Sequence, residues 1–257
     1  MHANYHTHTF RCGHASGSEE EYIKTAIQGG IKIMGFSDHV PFAFRNGNEY
    51  PWHMKTKDAE DYMQTLLALR EKYKNDIKIF IGFEMEYLEN YFDEMLGYVR
   101  SLGAEFLILG QHFSRHDSFE RVRYSSGADN TEDDLISYTD LVIKGIKTGV
   151  FSYVAHPDIF RYETEREEYK REVRRLCEAA KENDIPLEIN LLGVYEARWY
   201  PNEVFWSIAG DVGNKVVFGF DAHTPSRAFD FDSISKAERL VKKYNLKLIN
   251  EIELIKI

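Results

Sequence analysis

The chain has 257 residues, with 32 lysines and arginines against 42 aspartates and glutamates, for a formal charge of −10. Hydrophobic residues at 43% and aromatics at 14% can bury a substantial core, which excludes a disordered chain. The acidic balance argues against electrostatic binding of a long nucleic-acid backbone, and no apolar run reaches membrane length. With no basic leader and no disulfide spacing between Cys12 and Cys177, a reduced cytoplasmic setting is expected.

In chain order, strand patterns at Ala3–His6, Ile33–Ser37, Ile77–Glu84, Phe106–Gln111, Ser152–Ala155, Pro186–Asn190 and Val216–Phe220 alternate with helical ones. The helical patterns are Ser18–Gln28, Lys57–Tyr73, Tyr91–Leu102, Thr131–Thr148, Glu165–Asn183, Asn202–Gly213 and Ser233–Tyr244. Ser18 with Glu21, and Thr131 with Asp134, have the spacing of capping boxes. Helices between short buried strands imply βα repeats on a parallel sheet, and seven such units point to an α/β barrel with seven strands. No linker or composition break divides the chain, so one domain over residues 1–257 is expected. Two long connections, Val40–Thr56 and His112–Asn130, follow strands on the side where barrels bind substrates.

Metal-type residues recur at those strand ends. His6-x-His8 ends the first strand, and period two aims both imidazoles the same way. His14 follows in the next loop, and Cys12 beside it could be a ligand or an ordinary loop thiol. Asp38-His39 follows strand two, Glu84 closes strand three, and His112 follows strand four. His156, in Ala155-His156-Pro157-Asp158, follows strand five, and Asp221-x-His223 follows strand seven. Each alone has an ordinary explanation: a solvated carboxylate, a hydrogen-bonded loop histidine, or a turn cap at Asp38 or Asp158. Their recurrence at one end of successive strands points to a multinuclear metal site.

On these residues the chain resembles the PHP (polymerase and histidinol phosphatase) metallophosphoesterases over essentially its whole length. Its length looks most like the stand-alone histidinol-phosphatases, with a distorted seven-stranded (β/α) barrel. The resemblance implies three divalent metal ions, zinc, iron or manganese. One would take His6, His8, Glu84 and Asp221; a second would share Glu84 and add His112 and His156; a third would take His14, His39 and His223. Asp38 would orient a histidine from behind. His2, His53 and His116 match no ligand position and are read as surface or loop histidines, with His116 a minor substrate-contact candidate.

Such a site suits phosphate monoester hydrolysis. Metals bridged by Glu84 neutralise phosphate oxygens and hold a hydroxide aimed at phosphorus, with no serine or cysteine nucleophile required. The catalytic group is expected to be Glu84, Asp221 and His223, with the proton donor to the leaving oxygen left open among His223, Asp221 and a water. Arg161 and Arg198, in loops at the same end, are candidate phosphate ligands because a guanidinium fork matches two oxygens. Phe42, Phe44, Tyr50, Trp52, Phe113, Tyr195 and Trp199 crowd the same loops and could enclose a flat ring or merely pack. The resemblance implies a small-molecule partner, L-histidinol phosphate, with a phosphotyrosyl protein or another phosphorylated metabolite as alternatives. A nuclease fits the acidic chain poorly. An amidohydrolase would need a lysine where Glu84 stands, and a non-catalytic metal-binding module would leave the two arginines without a task. Oligomeric state is not readable.

Overall fold

The computed structural model describes residues 1–118 and 121–257, with side chains described throughout except at 116–118 and 121. The chain runs β1 (Ala3–Asn4), α1 (Glu19–Gln28), β2 (Ile33–His39), α2 (Ala59–Tyr73), β3 (Lys78–Met85), α3 (Phe92–Leu102) and β4 (Leu107–Leu109). It continues with β5 (Phe113–Ser118), β6 (Arg121–Tyr124), α4 (Glu132–Lys147), β7 (Phe151–Val154), α5 (Glu167–Glu182) and β8 (Leu187–Asn190). It closes with α6 (Leu191–Glu196), α7 (Glu203–Val212), β9 (Lys215–Gly219), α8 (Phe231–Lys243) and β10 (Lys247–Leu248).

Both capping boxes form. Glu21 Oε2 accepts from Ser18 N at 2.7 Å, while Asp134 N donates to Thr131 Oγ1 at 3.3 Å. Each satisfies helix-end donors and stabilises its helix by about 1 kcal/mol.

Among the described residues the main sheet is parallel and eight-stranded, in the order β1-β2-β3-β4-β7-β8-β9-β10. The seven expected strands are all present; β10 is the addition, two residues paired to Lys215 and Val216. At the other end of β9 the sheet turns back on itself. Thr7 bridges Ala222 in parallel, His8 N donates to Ala222 O at 3.0 Å, and Phe220 N donates to Asn4 Oδ1 at 3.0 Å. The first and seventh expected strands therefore meet at the C-terminal end of the barrel, and β10 lies only along the N-terminal end.

Period-two alternation sorts side chains to the two faces of the sheet. Leu107 and Leu109 of β4 join the large core under the helices, whereas Phe106 and Ile108 join a smaller cluster with Tyr5, Tyr153 and Val217. Ile252 of the C-terminal tail enters that smaller cluster, and Ile255 N donates to Ser152 Oγ at 3.0 Å. The floor of the barrel is thus apolar and its C-terminal mouth is left for polar groups. The connection 112–130 folds into the antiparallel β5–β6 hairpin, and Asn190 caps the short α6 by accepting from Gly193 N at 2.9 Å. No helix among the described residues is long and apolar enough to cross a membrane.

Candidate metal centre

His6 and His8 are fully buried, and their Nε2 atoms face each other at 3.1 Å. Asp221 Oδ1 lies 3.0 Å from His8 Nε2 and 3.5 Å from His6 Nε2. Glu84 sits at the centre. Its Oε2 is 3.6 Å from both of those nitrogens and 3.0 Å from His39 Nδ1. Its Oε1 is 2.7 Å from His156 Nε2 and 3.7 Å from His112 Nε2. His14 Nε2 faces His223 Nε2 at 2.9 Å, and the His223 ring stacks on His8 with centroids 4.1 Å apart. All nine residues expected as ligands are therefore gathered in one cluster, from six strand ends and one loop.

The donor set fits cations. Two imidazole nitrogens in contact can share one proton or turn their lone pairs on one metal ion. His6, His8 and Asp221 offer donor atoms within 4.8 Å of one another, as do His6, Glu84 and His156, and His8, His39 and His223. The buried Glu84 Oε2 and His39 Nδ1, though 3.0 Å apart, are not aligned for a hydrogen bond and have no other hydrogen-bond partner among the described residues. Such atoms are costly unless something satisfies them, and a divalent ion would.

Local charge agrees. Burial, reinforced by the positive field of His8, lowers His223 to about 3 and holds His39 well below the usual histidine range. Both imidazoles are then neutral and free to donate lone pairs. Burial opposes the charge of Glu84, yet His112 and His6, both pushed toward their charged forms, hold its carboxyl well below the usual range.

The backbone is shaped to allow this crowding. His156 and Asp221 adopt left-handed φ of 29° and 49°, strain of the kind that persists at functional sites because the surroundings enforce it. A Cβ at Gly110 would lie 1.9 Å from Glu84 Oε1, so only glycine lets Glu84 reach the centre.

Beside the cluster lies a cavity of about 450 Å3, lined among others by Trp52, Ser126, Glu196, Arg198, Trp199 and Tyr200. Arg198 is turned toward it, with Nη1 donating to Tyr200 OH at 2.7 Å and Nε to Glu196 Oε2 at 2.7 Å.

Residues 4–191 match the PHP domain family. The chain belongs to that family. It is similar to the probable histidinol-phosphatase of Deinococcus radiodurans, 24% identical over 229 residues, 86% of this chain and 85% of the relative. It is also 24% identical to a probable phosphatase of Shigella flexneri, over 96% of this chain and 92% of that one. The solved histidinol phosphate phosphatase of Lactococcus lactis, complexed with zinc, L-histidinol and phosphate, matches with a TM-score of 0.75 at 19% identity. That match covers 100% of this chain and 98% of the other, and it shows a shared fold.

Several groups in this PHP domain escaped the sequence reading. Glu188 on β8, fully buried, places Oε1 2.8 Å from His6 Nδ1 and accepts from His156 N through Oε2 at 2.9 Å. Asn190 Nδ2 donates to Glu188 Oε2 and to Asp221 Oδ2, both at 3.1 Å. Glu86 Oε1 lies 2.8 Å from His112 Nδ1 and 3.3 Å from His53 Nε2. A signal for Glu188 and Glu86 was present but unused: Glu188 is a charged residue between the apolar Leu187 and Ile189 of its strand, and Glu86 stands two residues after Glu84, just past the end of β3. Asp38 does what was expected of it, with Oδ1 3.3 Å from His8 Nδ1 and Oδ2 accepting from Thr9 N at 3.1 Å.

The structure narrows two further readings. His53 is a loop histidine, as one of the two alternatives had it, but a buried one, because Glu86 and the Val40 carbonyl, 3.0 Å from its Nδ1, give it polar partners inside the loop. Arg161 does not line the metal cavity; its guanidinium packs over the Trp199 ring at 5.4 Å and lines a neighbouring cleft with Asn130 and Arg166. Of the loop aromatics, Trp52 and Trp199 reach the cavity. Phe42, Phe44, Tyr50 and Phe113 are buried in packing, and Tyr195 lies under Arg227. His2 is exposed near Glu251, and the side chain of His116 lies outside the described residues.

Proposed function

We propose that this chain is a metal-dependent phosphatase that hydrolyses L-histidinol phosphate to L-histidinol and inorganic phosphate in histidine biosynthesis, on one domain spanning residues 1–257. The observation that carries the reading is the cluster of nine donor residues, the buried Glu84 among them, opening on a cavity with Arg198 in its wall. The substrate follows from the relatives named for histidinol phosphate.

His6, His8, Glu84 and Asp221 would hold one ion, Glu84, His112 and His156 a second, and His14, His39 and His223 a third. Zinc, iron and manganese all suit these ligands. When bound, such ions neutralise phosphate oxygens and make water nucleophilic near neutral pH. The chain's residues do the rest. Glu84 ties five histidines from four strand ends to one point, fixing where the ester must sit. Arg198 offers a charged fork to phosphate oxygens from the cavity wall, and Arg161 reaches that wall only through Trp199. His223 Nδ1 lies 2.9 Å from the Asp221 carbonyl oxygen and donates to it, which leaves Nε2 as a lone-pair donor. Against burial, His6 and His8 hold the Asp221 carboxyl well below its usual range, so it carries no proton to give, and proton delivery to the leaving oxygen falls to water. Attack on phosphorus is direct, with no phosphoenzyme.

The test is phosphate release from L-histidinol phosphate, p-nitrophenyl phosphate and a phosphotyrosyl peptide by protein of measured metal content. About three ions per chain and a strong preference for histidinol phosphate are expected. Absence of both metal and turnover after reconstitution with zinc, iron or manganese would overturn the reading. A second reading, a phosphatase of another small phosphomonoester, draws on the equal identity to the Shigella phosphatase; preference for a different ester would favour it. Retention of configuration at phosphorus would refute direct attack.

A further inference from the structure

We propose that Cys12 supplies a fourth protein donor, a thiolate, to the metal position of His14, His39 and His223. The inference rests on the metal-centre reading above and adds a ligand of a different chemical kind.

Cys12 ends the short turn Phe10–Cys12, after which Gly13 takes a left-handed φ of 82°. That reversal folds His14 back over Cys12, with His14 Nδ1 3.1 Å from the Cys12 carbonyl oxygen. The imidazole is thereby turned so that Nε2 meets both His223 Nε2, at 2.9 Å, and Cys12 Sγ, at 3.9 Å. Donor atoms of Cys12, His14 and His223 all lie within 4.8 Å of one another. A tetrahedral zinc with bonds of about 2.3 Å to sulfur and about 2.0–2.1 Å to nitrogen needs donors roughly 3.3–3.6 Å apart, so small shifts suffice.

Burial by itself would make Cys12 a small core residue. Its surroundings differ from such a core. Cys12 is fully buried, yet its sulfur also groups with His8 and Asp38. Cys177, equally buried, sits on α5 within the large apolar core. As a thiol, Cys12 donates to Thr9 O at 3.1 Å; on ligation that proton leaves to solvent and the sulfur turns to the cation. Sulfur would make this position select zinc or cobalt over manganese, while the positions built from imidazole and carboxylate stay permissive.

The test is the full-length protein loaded with cobalt(II), read by absorption spectroscopy beside its cobalt content. Expected are visible d–d bands and a near-ultraviolet sulfur-to-cobalt charge-transfer band, the latter lost in Cys12→Ser and kept in Cys177→Ala. If Cys12→Ser does not fold, the band in the wild type and its survival in Cys177→Ala still decide the source of the sulfur. Bound cobalt with d–d bands but no charge-transfer band would overturn the thiolate and leave the metal centre standing. A band unchanged in Cys12→Ser would do the same. Failure to bind cobalt at all would overturn both.

Discussion

Glu188 Oε1 lies 2.8 Å from His6 Nδ1, at the fully buried base of the metal cluster. The carboxylate sets which nitrogen of His6 carries a proton, so that Nε2 presents its lone pair upward, and it also steadies the backbone of His156. Burial works against protonating His6, but Glu188, Asp221 and Glu84 push it up to about 10. In the absence of a cation, then, a proton occupies the ring and competes with metal. Glu188→Gln keeps the shape and removes the charge. We expect metal affinity to fall about 10–100-fold, measured by competition with a chelator, with an unchanged circular dichroism spectrum.

Gly110 makes room for Glu84, since a Cβ there would meet Oε1 at 1.9 Å. Gly110→Ala is expected to cost about 1–3 kcal/mol by overpacking and to lower bound metal, read by thermal unfolding and elemental analysis. Gly97, inside α3 with nothing near its would-be Cβ, is the control. Gly97→Ala should stabilise by about 0.5–1 kcal/mol. Equal behaviour of the two variants would refute the steric argument.

The two arginines should separate kinetically. Arg198 lines the cavity, whereas Arg161 packs over the Trp199 ring and lines a neighbouring cleft. A charged hydrogen bond to phosphate is worth about 1.5–3 kcal/mol, so Arg198→Ala should lower kcat/KM roughly 10–100-fold. Arg161→Ala should lower it by less than about fivefold, within the loss of one exposed cation–π contact. A larger effect at Arg161 would mean that the loop closes over substrate.

Asp158 gives a pH signature. Burial raises its carboxyl to about 6, against donation from Asn202 N at 2.6 Å and Trp206 Nε1 at 2.9 Å. The folded state thus holds a proton that the unfolded chain has released from its ordinary value of 3.8 upward. Stability from this group is full below that value and is lost as pH rises to about 6, a span of about 3 kcal/mol. Asp158→Asn should remove that fall, seen as a flatter denaturant midpoint between pH 4 and 6 than in the wild type. Parallel curves would sink the assignment.

Much of the site was legible because its information is local. A ligand at the end of a buried strand is marked by an apolar run and a polar residue just past it, as in Phe83-Glu84 and Phe220-Asp221. The helices also followed from local pattern, within two residues at most ends. The burial of His53 was not legible because its loop has no periodicity, and it depends on Glu86 arriving from just past β3. The β5–β6 hairpin and α6 lay in connections where aromatics and glycines mask period.

By itself the sequence determined the βα order, the strand-end positions of eight candidate donors with His14 in the loop behind the first, and the family they mark, since strand period and side-chain chemistry are properties of neighbouring residues. Only the tertiary structure decided how the ring closes, through Thr7 and Ala222, and which carboxylates stand behind the histidines. His6 and Glu188 are 182 residues apart, and Arg198 lines the cavity while Arg161 packs over Trp199 and lines a neighbouring cleft. Such pairings are set by how the strands close into a barrel, and no local pattern encodes that closure.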